Sequence, residues 1–289
     1  LNTLYPGFLL ASLLWIKNNE PDTYRRAAAI LLPKDYLRYR LTGRIGTDFS
    51  DASSSLAFDT VKREWAYKIL SSLDLDPSLF PPCSEAAATA GFVMEQASDE
   101  TGLQQGIPVV FGGSDQPMQA LGNGAINSGD ATATIGTSGQ LFVPVSRPIY
   151  DPQLRVHTFC NLCMEKWYVM GAVMSAGMSL RWLSEHVFGH VGISELGLEA
   201  ESIAPGSDGV LFLPYLAGER TPHLNSKARA LFFGLTLVHS RAHFVRAVME
   251  GVAFALKDSL EIIKEMGIPV HRLIASGGGA NSKCWLQIQ

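Results

Sequence analysis

Three segments of this chain combine an apolar strand pattern with a glycine-rich turn. The first is Ile107–Gly122, in which a predicted buried strand and the turn Phe-Gly-Gly-Ser lead into a helix opened by Asp115. The others are Ala131–Gln140 and Leu273–Asn281. Such turns follow the carboxyl ends of strands, where open α/β folds bind ligands, and their backbone N–H groups can wrap phosphate. One carboxylate and two glycine turns therefore favour an enzyme that transfers a phosphoryl group.

Length and composition narrow the class of protein. The chain has 289 residues, of which 47% are hydrophobic and 17% are charged, and its formal net charge is −4. This length allows one large domain or two ordinary domains, each with a real core. Because the charge is negative and no basic run is present, nucleic acid and anionic membrane surfaces are unfavourable partners. We predict a well-packed globular protein with no nucleic-acid or membrane partner.

The cysteines and the first apolar segment indicate the cellular compartment of the protein. The four cysteines are too few and too scattered for a secreted disulfide framework. Cys160 and Cys163 have redox or half-zinc spacing, but no second pair completes a site, so we interpret them as semi-buried thiols in a hairpin. Phe8–Ile16 is too short to span a bilayer and lacks the flanks of a signal peptide. We expect a cytoplasmic protein without a metal site built from side chains.

The spacing of apolar residues predicts a helical first third and a mixed sheet beyond it. The predicted helices are Phe8–Asn19, Tyr24–Leu32, Pro33–Gly43, Glu64–Leu73, Met174–Phe188 and Arg241–Met266, the last with Ser240 as N-cap and Gly267 as its stop. The predicted strands are Gly91–Glu95, Ile107–Phe111, Ala131–Ile135, Gln140–Val145, His157–Phe159, Lys166–Met170, Gly209–Tyr215 and Arg272–Ala275. We expect the four strands between residues 131 and 170 to form an antiparallel meander. Ile126–Asp130 marks the predicted domain boundary, which gives domains 1–128 and 129–289.

Asp115 suits the role of general base in phosphoryl transfer. That reaction needs in-line positioning, charge stabilisation and a group that orients the attacking hydroxyl and accepts its proton. A helix N-terminus favours the ionised carboxylate. The alternative is an ordinary cap, because Ser-Asp-x-Pro is also a helix-capping sequence. The paired glycines and the two other turns favour catalysis, and the two roles are compatible.

The two glycine turns and one helix-start glycine are candidate nucleotide contacts. In Gly136–Gly139 the amides and the Thr137 hydroxyl could face the phosphates of ATP, although a plain hairpin turn is the alternative. The glycines of Gly277–Asn281 let a ligand approach the backbone, and the Asn281 side chain could bind a base or ribose; a tight strand–helix turn is the alternative. Gly177 would let a base or ribose lie against a helix, and helix–sheet packing explains it equally well.

A polar cluster, Glu219–His223, follows the predicted strand Gly209–Tyr215. Arg220 could bind phosphate or hold a loop through an ion pair, and both interpretations stay open. His157, His223, His239 and His243 show no metal-ligand spacing, and we interpret them as structural or surface residues. His186 and His190 have helical i,i+4 spacing but no HExxH context.

The order of these motifs resembles the FGGY family of carbohydrate kinases. The Asp115 turn, the turn at Gly136–Gly139 and the run at Gly277–Asn281 follow one another as in that family, and within it the chain looks most like the bacterial xylulokinases. Further family-like stretches are Leu32–Arg38, Leu41–Gly43, Thr47–Ala52, Val156–Cys160, Phe212–His223, Ala230–Leu235 and Arg246–Glu250. The resemblance covers essentially the whole chain, and the combined order is more specific than any single motif.

The resemblance implies an α/β protein of the actin/hexokinase-like (ribonuclease H-like) ATPase fold, with two domains and an active site in the cleft between them. Residues 1–128 would be the C-terminal part of the sugar-binding domain, with Asp115 as catalytic base and Gln116 as a substrate contact. Residues 129–289 would be the nucleotide-binding domain. Its nucleotide contacts would be Gly136, Thr137, Gly177, Gly277, Gly278, Gly279 and Asn281. ATP and Mg²⁺ are implied, with the metal held largely by the ATP phosphates.

The expected activity is ATP-dependent phosphorylation of D-xylulose to D-xylulose 5-phosphate. The alternatives are another FGGY kinase acting on glycerol, gluconate or a different pentulose, an ATP-binding switch of the actin/Hsp70 kind, and a paralogue without activity. The expected partners are a sugar and ATP or ADP, and a homodimer is the hypothesis for assembly.

Three features depart from the family pattern. Ser12 stands where the first family signature usually has Lys, and Asp115-Gln116 stands where many xylulokinases have Asp-Asn. Both ends of the sequence look like cuts in a longer chain, and the first phosphate loop of the family is absent from it. We therefore expect this segment alone to be inactive.

Overall fold

The computed structural model describes residues 2–5 and 7–289, which divide into two compact units. Unit 1 comprises the residues up to Gln119 together with 145–148 and 158–168. Unit 2 comprises residues 120–144, 149–157 and 169–289.

Unit 1 is built from short helices and strands. Its helices are α1 (Leu9–Asn19), α2 (Pro21–Arg26), α3 (Pro33–Thr42), α4 (Phe49–Ser54), α5 (Tyr67–Ser72), α6 (Glu95–Thr101) and the start of α7 (Asp115–Gly122). Its strands form two-stranded ladders: β1 (Thr47–Asp48) with β4 (Cys83–Ser84), β2 (Phe58–Asp59) with β3 (Glu64–Trp65), and β5 (Thr89–Phe92) with β6 (Pro108–Val110). Pro33 begins α3 and Gly43, at φ 67°, ends it, as predicted.

Aromatic side chains form part of the core of unit 1. Phe58 meets Trp65 edge-on at 5.3 Å, and Trp65 lies 4.9 Å from Phe80 between ring centroids. The indole N–H of Trp65 donates to the carbonyl of Pro81 over 2.7 Å, so its polar atom is satisfied although the ring is buried.

The chain also forms a five-stranded sheet. Its strands are β7 (Gly129–Ile135), β8 (Gly139–Val145), β9 (His157–Cys160), β10 (Trp167–Val173) and β13 (Val270–Ser276), in the order β13-β7-β8-β10-β9. Strand β13 runs parallel to β7, whereas β7 and β8 are antiparallel. The predicted mixed sheet is confirmed, but the simple meander is wrong, because β10 lies between β8 and β9.

Helices and one small ladder complete unit 2. They are α8 (Gly177–Trp182), α9 (Ile193–Glu201), α10 (Arg241–Glu265) and α11 (Lys283–Ile288), with the antiparallel pair β11 (Leu211–Leu213) and β12 (Leu231–Phe233). The long helix predicted at residues 241–266 is confirmed. Ser240 caps it in a capping box with His243, and Gly267, at φ 74°, follows its end.

Three predicted helices are shorter than their apolar spacing suggests. The one expected at Glu64–Leu73 begins only at Tyr67, because Glu64 and Trp65 pair with β2 as strand β3. The one expected at Tyr24–Leu32 ends at Arg26, and Leu32 is extended at ψ 159° because Pro33 disfavours helical backbone in the residue before it. The one expected at Met174–Phe188 begins only at Gly177 and changes into a single π-helical turn at Leu183–Val187.

The strand before Asp115 is not buried as predicted. Ile107 is 41% exposed and Val110 is 49% exposed, because β6 has only β5 as a partner in a two-stranded ladder. The expectation of two semi-buried thiols is also wrong, since Cys160 is buried within β9 whereas Cys163 is exposed, and all four cysteines are free.

Candidate active site

Glycines shape the turn before Asp115. Gly112 has φ 75°, which side chains rarely adopt. A Cβ on Gly113 would lie 2.0 Å from Leu162 Cδ2, so a side chain there would require the end of the Leu162 side chain to move. The chain can then pass from β6 into α7, which begins at Asp115 as predicted.

The Asp115 carboxylate is exposed at the first residue of α7. Its Oδ1 accepts the N–H of Gln116 over 2.7 Å. Within the described part of the chain it makes no salt bridge, whereas Asp48 and Asp51 both contact the ammonium of Lys34. The carboxylate of Asp115 is therefore available to a ligand, whereas those of Asp48 and Asp51 are bound by Lys34.

Buried hydrogen bonds hold the residue before Asp115. The N–H of Ser114 donates to the hydroxyl of Ser50 over 2.9 Å, and that hydroxyl donates to Asp48. Asp48 caps α4, since its carboxylate also accepts the backbone N–H groups of Ser50 and Asp51. The phenol of Tyr168 hydrogen-bonds to Ser114, and burial raises the pKa of Tyr168, which therefore stays protonated at neutral pH.

Two cations of α3, Lys34 and Arg38, form ion pairs with the carboxylates beside this turn. The ammonium of Lys34 lies 2.7 Å from Asp35, 2.9 Å from Asp48 and 3.1 Å from Asp51. Burial nevertheless raises the pKa of Asp51 to about 6. Arg38 pairs with Asp35 over 2.7 Å, and both side chains are almost fully buried.

The guanidinium of Arg38 also supports the backbone around the turn. It donates to the carbonyls of Phe111 and Gly46, and it stacks on the Phe111 ring with its carbon 4.7 Å from the ring centroid. Lys34 and Asp48 lie in family-like stretches of the sequence, but the sequence predicts no role for them, because they come close to the turn only in the folded chain.

In unit 2, the turn between β7 and β8 packs against the start of α8. The N–H groups of Ala176 and Met178 donate to the carbonyl of Thr137, each over 3.1 Å, and Gly177 donates to the carbonyl of Gly136 over 2.8 Å. A Cβ on Gly177 would lie only 2.4 Å from that Gly136 oxygen. Gly177 is therefore required for this backbone contact, and the Thr137 side chain stays exposed.

The glycine run after β13 packs on the end of β7. Gly277 has φ 78°, and a Cβ there would lie 2.6 Å from the carbonyl oxygen of Ile135. A Cβ on Gly279 would lie 2.7 Å from Ile135 Cβ. Gly278 has ordinary space, so two of the three glycines are sterically required. Gly278–Asn281 forms a 3₁₀ turn that leads into α11.

A cavity of about 730 Å³ lies where these segments of unit 2 meet. Six of the seven predicted nucleotide contacts line it: Gly136, Thr137, Gly177, Gly278, Gly279 and Asn281. Gly277 lies outside the lining and shapes the turn. The volume is within the usual range of small-molecule sites.

Sequence reasoning missed several other residues that line this cavity. Three are charged: Arg181 on α8, Glu201 at the end of α9 and Lys283 at the start of α11. Ser194 and Met249 also contribute. Arg181 follows Gly177 by one helical turn, which is a usable sequence signal, whereas the position of α9 is set by tertiary packing.

The polar loop after β11 hydrogen-bonds to the end of β10 and to the residue that follows it. The carboxylate of Glu219 accepts the N–H groups of Met174 and Arg220 over 2.8 Å and 2.7 Å, and Thr221 hydrogen-bonds to Ala172 in both directions. Glu219 is fully buried, and this burial raises its pKa to about 7. Burial, with a smaller contribution from the charge of Arg220, lowers the pKa of His157 to about 3.

Neither a metal cluster nor a membrane span is found among residues 2–5 and 7–289. No three or more His, Cys, Asp or Glu side chains are grouped so that they could hold a metal ion. No helix in these ranges has both the length and the apolar character needed to cross a bilayer.

Family models match both halves of the chain. The N-terminal domain of the FGGY family of carbohydrate kinases matches residues 1–122, and the C-terminal domain of that family matches residues 131–289. The chain belongs to the FGGY family of carbohydrate kinases.

Individual FGGY kinases match over the whole chain. A xylulose kinase of Bacillus subtilis is 36% identical over 288 residues, which are 100% of this chain and 58% of that protein. A crystal structure described as a xyloylose kinase from Brucella ovis has a TM-score of 0.91 at 36% identity, over 99% of this chain and 59% of that one. The crystal structure of a gluconate kinase from Lactobacillus acidophilus has a TM-score of 0.87 at 26% identity, over 98% of this chain and 58% of that one.

These matches confirm the predicted fold class, an α/β protein of the actin/hexokinase-like kind. The chain spans less than two thirds of the length of these relatives.

Proposed function

We propose that the protein catalyses ATP-dependent phosphorylation of D-xylulose to D-xylulose 5-phosphate. One observation carries the proposal: Asp115 is an exposed carboxylate without an ion pair among the described residues, whereas the nearby Asp48 and Asp51 both pair with Lys34. The similarity to xylulose kinases supports the choice of sugar.

In this reaction Asp115 is the general base. Its carboxylate accepts a hydrogen bond from the terminal hydroxyl of the sugar and takes the proton as the new O–P bond forms. The bond between the γ-phosphorus and its bridging oxygen breaks, and ADP leaves with that oxygen. Gln116, the next residue, is the proposed substrate contact on the same turn of α7.

The cavity of unit 2 is the proposed nucleotide site. Thr137 offers an exposed hydroxyl and backbone beside the phosphates, in the manner of other glycine-bounded turns. Gly177, Gly278 and Gly279 allow the nucleotide to approach the backbone, and the exposed Asn281 side chain is placed to bind base or ribose. Gly277 keeps the turn close to β7.

Mg²⁺ would neutralise charge on the transferred phosphoryl group when bound. Since the described residues form no metal cage, its protein ligands would be few, and the phosphates of ATP would supply most of the coordination. The role left to this chain is to hold the nucleotide and to orient the sugar hydroxyl.

The proposal includes two domains, with sugar contacts in residues 1–128 and nucleotide contacts in residues 129–289. We place the protein in the cytoplasm with its sugar and ATP or ADP as partners, and a homodimer stays the hypothesis for assembly.

A second candidate is phosphorylation of gluconate. The structural similarity to a gluconate kinase supports it. An ATP-binding switch without phosphotransfer is a third hypothesis, which the exposed Asp115 carboxylate disfavours.

A substrate panel tests these candidates. ADP release by the complete protein would be measured with D-xylulose, L-ribulose, D-ribulose, glycerol and gluconate. We expect the highest kcat/KM for D-xylulose. A higher value for gluconate would select the second candidate, and ATP binding without sugar-dependent ADP release would favour the switch.

A further inference from the structure

We propose that Lys34 is a positioning residue for the catalytic carboxylate, acting through Asp48 and Ser50 on the turn that carries Asp115. The proposal rests on the proposed role of Asp115 as the base. Lys34 lies on α3, not on α7 with Asp115, and we assign it no direct contact with the substrate.

The first step is the contact between Lys34 and Asp48. The ammonium lies 2.9 Å from Asp48 Oδ1, and the Asp48 side chain is only 1% exposed. Removing the partner of a buried charge leaves that charge uncompensated, which is costly. Lys34 therefore holds the Asp48 carboxylate in place. Burial alone would lower the pKa of the lysine, but the charges of Asp48 and Asp51 outweigh it, so that the pKa is raised and Lys34 stays charged.

The second step leads from Asp48 to Ser50. The carboxylate accepts both the N–H and the hydroxyl of Ser50. Because the hydroxyl proton points to Asp48, the oxygen of Ser50 is left as an acceptor. The Asp48 carboxylate thus determines which way this buried hydroxyl is oriented.

The third step reaches the catalytic turn. The Ser50 oxygen accepts the N–H of Ser114 over 2.9 Å, across 64 residues of sequence. A Cβ on Gly113 would lie 3.3 Å from the same oxygen, so the turn also packs directly against it. Ser114 precedes Asp115, and a shift in its amide plane changes the direction of the carboxylate that follows.

The contacts of Arg38 distinguish the two cations of α3. Arg38 binds the carbonyls of Phe111 and Gly46 and is buried, which explains it as a structural residue. Lys34 is a quarter exposed and contacts three carboxylates, two of them in the segment of Ser50. The side chain of Lys34 also runs past the turn, with its Cδ 3.9 Å from a Cβ built on Gly112.

The test compares Lys34→Met, Lys34→Arg and Ser50→Ala in the complete protein. Lys17→Met is the matched control, because Lys17 also joins two segments of unit 1, through Asp74 at 2.9 Å and the carbonyl of Leu73 at 3.1 Å. The measurements are kcat and KM for sugar and for ATP, the Kd for ADP and the thermal midpoint. A lower kcat with an unchanged thermal midpoint would indicate that Asp115 is misoriented, whereas a lower thermal midpoint would indicate that the fold is destabilised.

We expect Lys34→Met and Ser50→Ala to lower kcat by about 10- to 100-fold, since a small misplacement of a catalytic group has effects of this size. The Kd for ADP should stay within about twofold, and Lys34→Arg should recover most of the rate because it keeps the charge. Lys17→Met should keep the wild-type kcat.

A double variant provides the decisive comparison. If Lys34 acts through Asp115, adding Lys34→Met to Asp115→Asn should leave the residual rate unchanged, because residues that act as a unit are not additive. A further loss in the double variant, or wild-type kcat in both Lys34→Met and Ser50→Ala, would overturn the proposal. Absence of sugar-dependent ADP release in the wild-type protein would instead overturn the proposed function on which this inference rests.

Discussion

The N–H of Gly177 donates to the carbonyl of Gly136 over 2.8 Å, and a Cβ on Gly177 would lie 2.4 Å from the same oxygen. The start of α8 therefore contacts the turn between β7 and β8 through backbone alone. Both glycines line the cavity of unit 2, so the shape of the proposed nucleotide site depends on this contact.

Gly177→Ala should weaken nucleotide binding by at least about tenfold, because the new methyl group must push the turn away from α8. Isothermal titration with ADP would measure the effect. Gly192→Ala is the matched control, since a Cβ on Gly192 meets nothing within 4 Å. Equal ADP affinity in the two variants would show that the backbone contact does not shape the site.

Thr137→Val should raise the KM for ATP by about tenfold, because it removes one hydroxyl that binds phosphate while keeping the branched shape, and a hydrogen bond to a charged group contributes about 1.5–3 kcal/mol. The KM for the sugar should not change. Thr236→Val alters another exposed threonine of unit 2 and serves as the control. An unchanged KM for ATP in Thr137→Val would remove this residue from the proposed site.

Glu219 should make unfolding depend on pH. Burial raises its pKa from 4.5 to about 7, so the folded state holds the proton between these values while the unfolded state loses it. The free energy of unfolding therefore falls as pH rises through this window, and the loss persists above pH 7.

Glu219→Gln removes this titration and keeps an oxygen to accept the two backbone N–H groups. Relative to wild type, the variant should gain up to about 3 kcal/mol between pH 4.5 and pH 8, since one pKa unit corresponds to about 1.4 kcal/mol. Urea unfolding across this range would measure it. Glu261→Gln, an exposed change on α10, should show no such gain; the same gain in both variants would contradict the assignment to Glu219.

The turns were predictable because their signals are local. Gly112 and Gly277 both have positive φ, and at Gly277 the backbone of Ile135 occupies the space that a side chain would need. Such positions favour glycine, so the sequence shows them directly. The long helix α10 was predictable for a similar reason, since its apolar spacing and its cap at Ser240 are both local.

The strand order and the residues around Asp115 were not predictable from local patterns. Placement of β10 between β8 and β9 depends on pairing between distant segments. The Ser50–Ser114 hydrogen bond spans 64 residues, and no periodicity encodes it. The exposure of β6 likewise follows from its single partner strand, whereas its apolar composition alone suggested burial.

The most direct test of the account is sugar-dependent ADP release by the complete protein with D-xylulose, measured in parallel for the wild type and for Asp115→Asn. The account predicts turnover by the wild type and a loss of about 10²- to 10⁴-fold in kcat in the variant, the usual range for removal of a general base. ADP binding should be unchanged in the variant. Wild-type turnover that survives in Asp115→Asn, or no turnover with any sugar of the panel, would contradict the account.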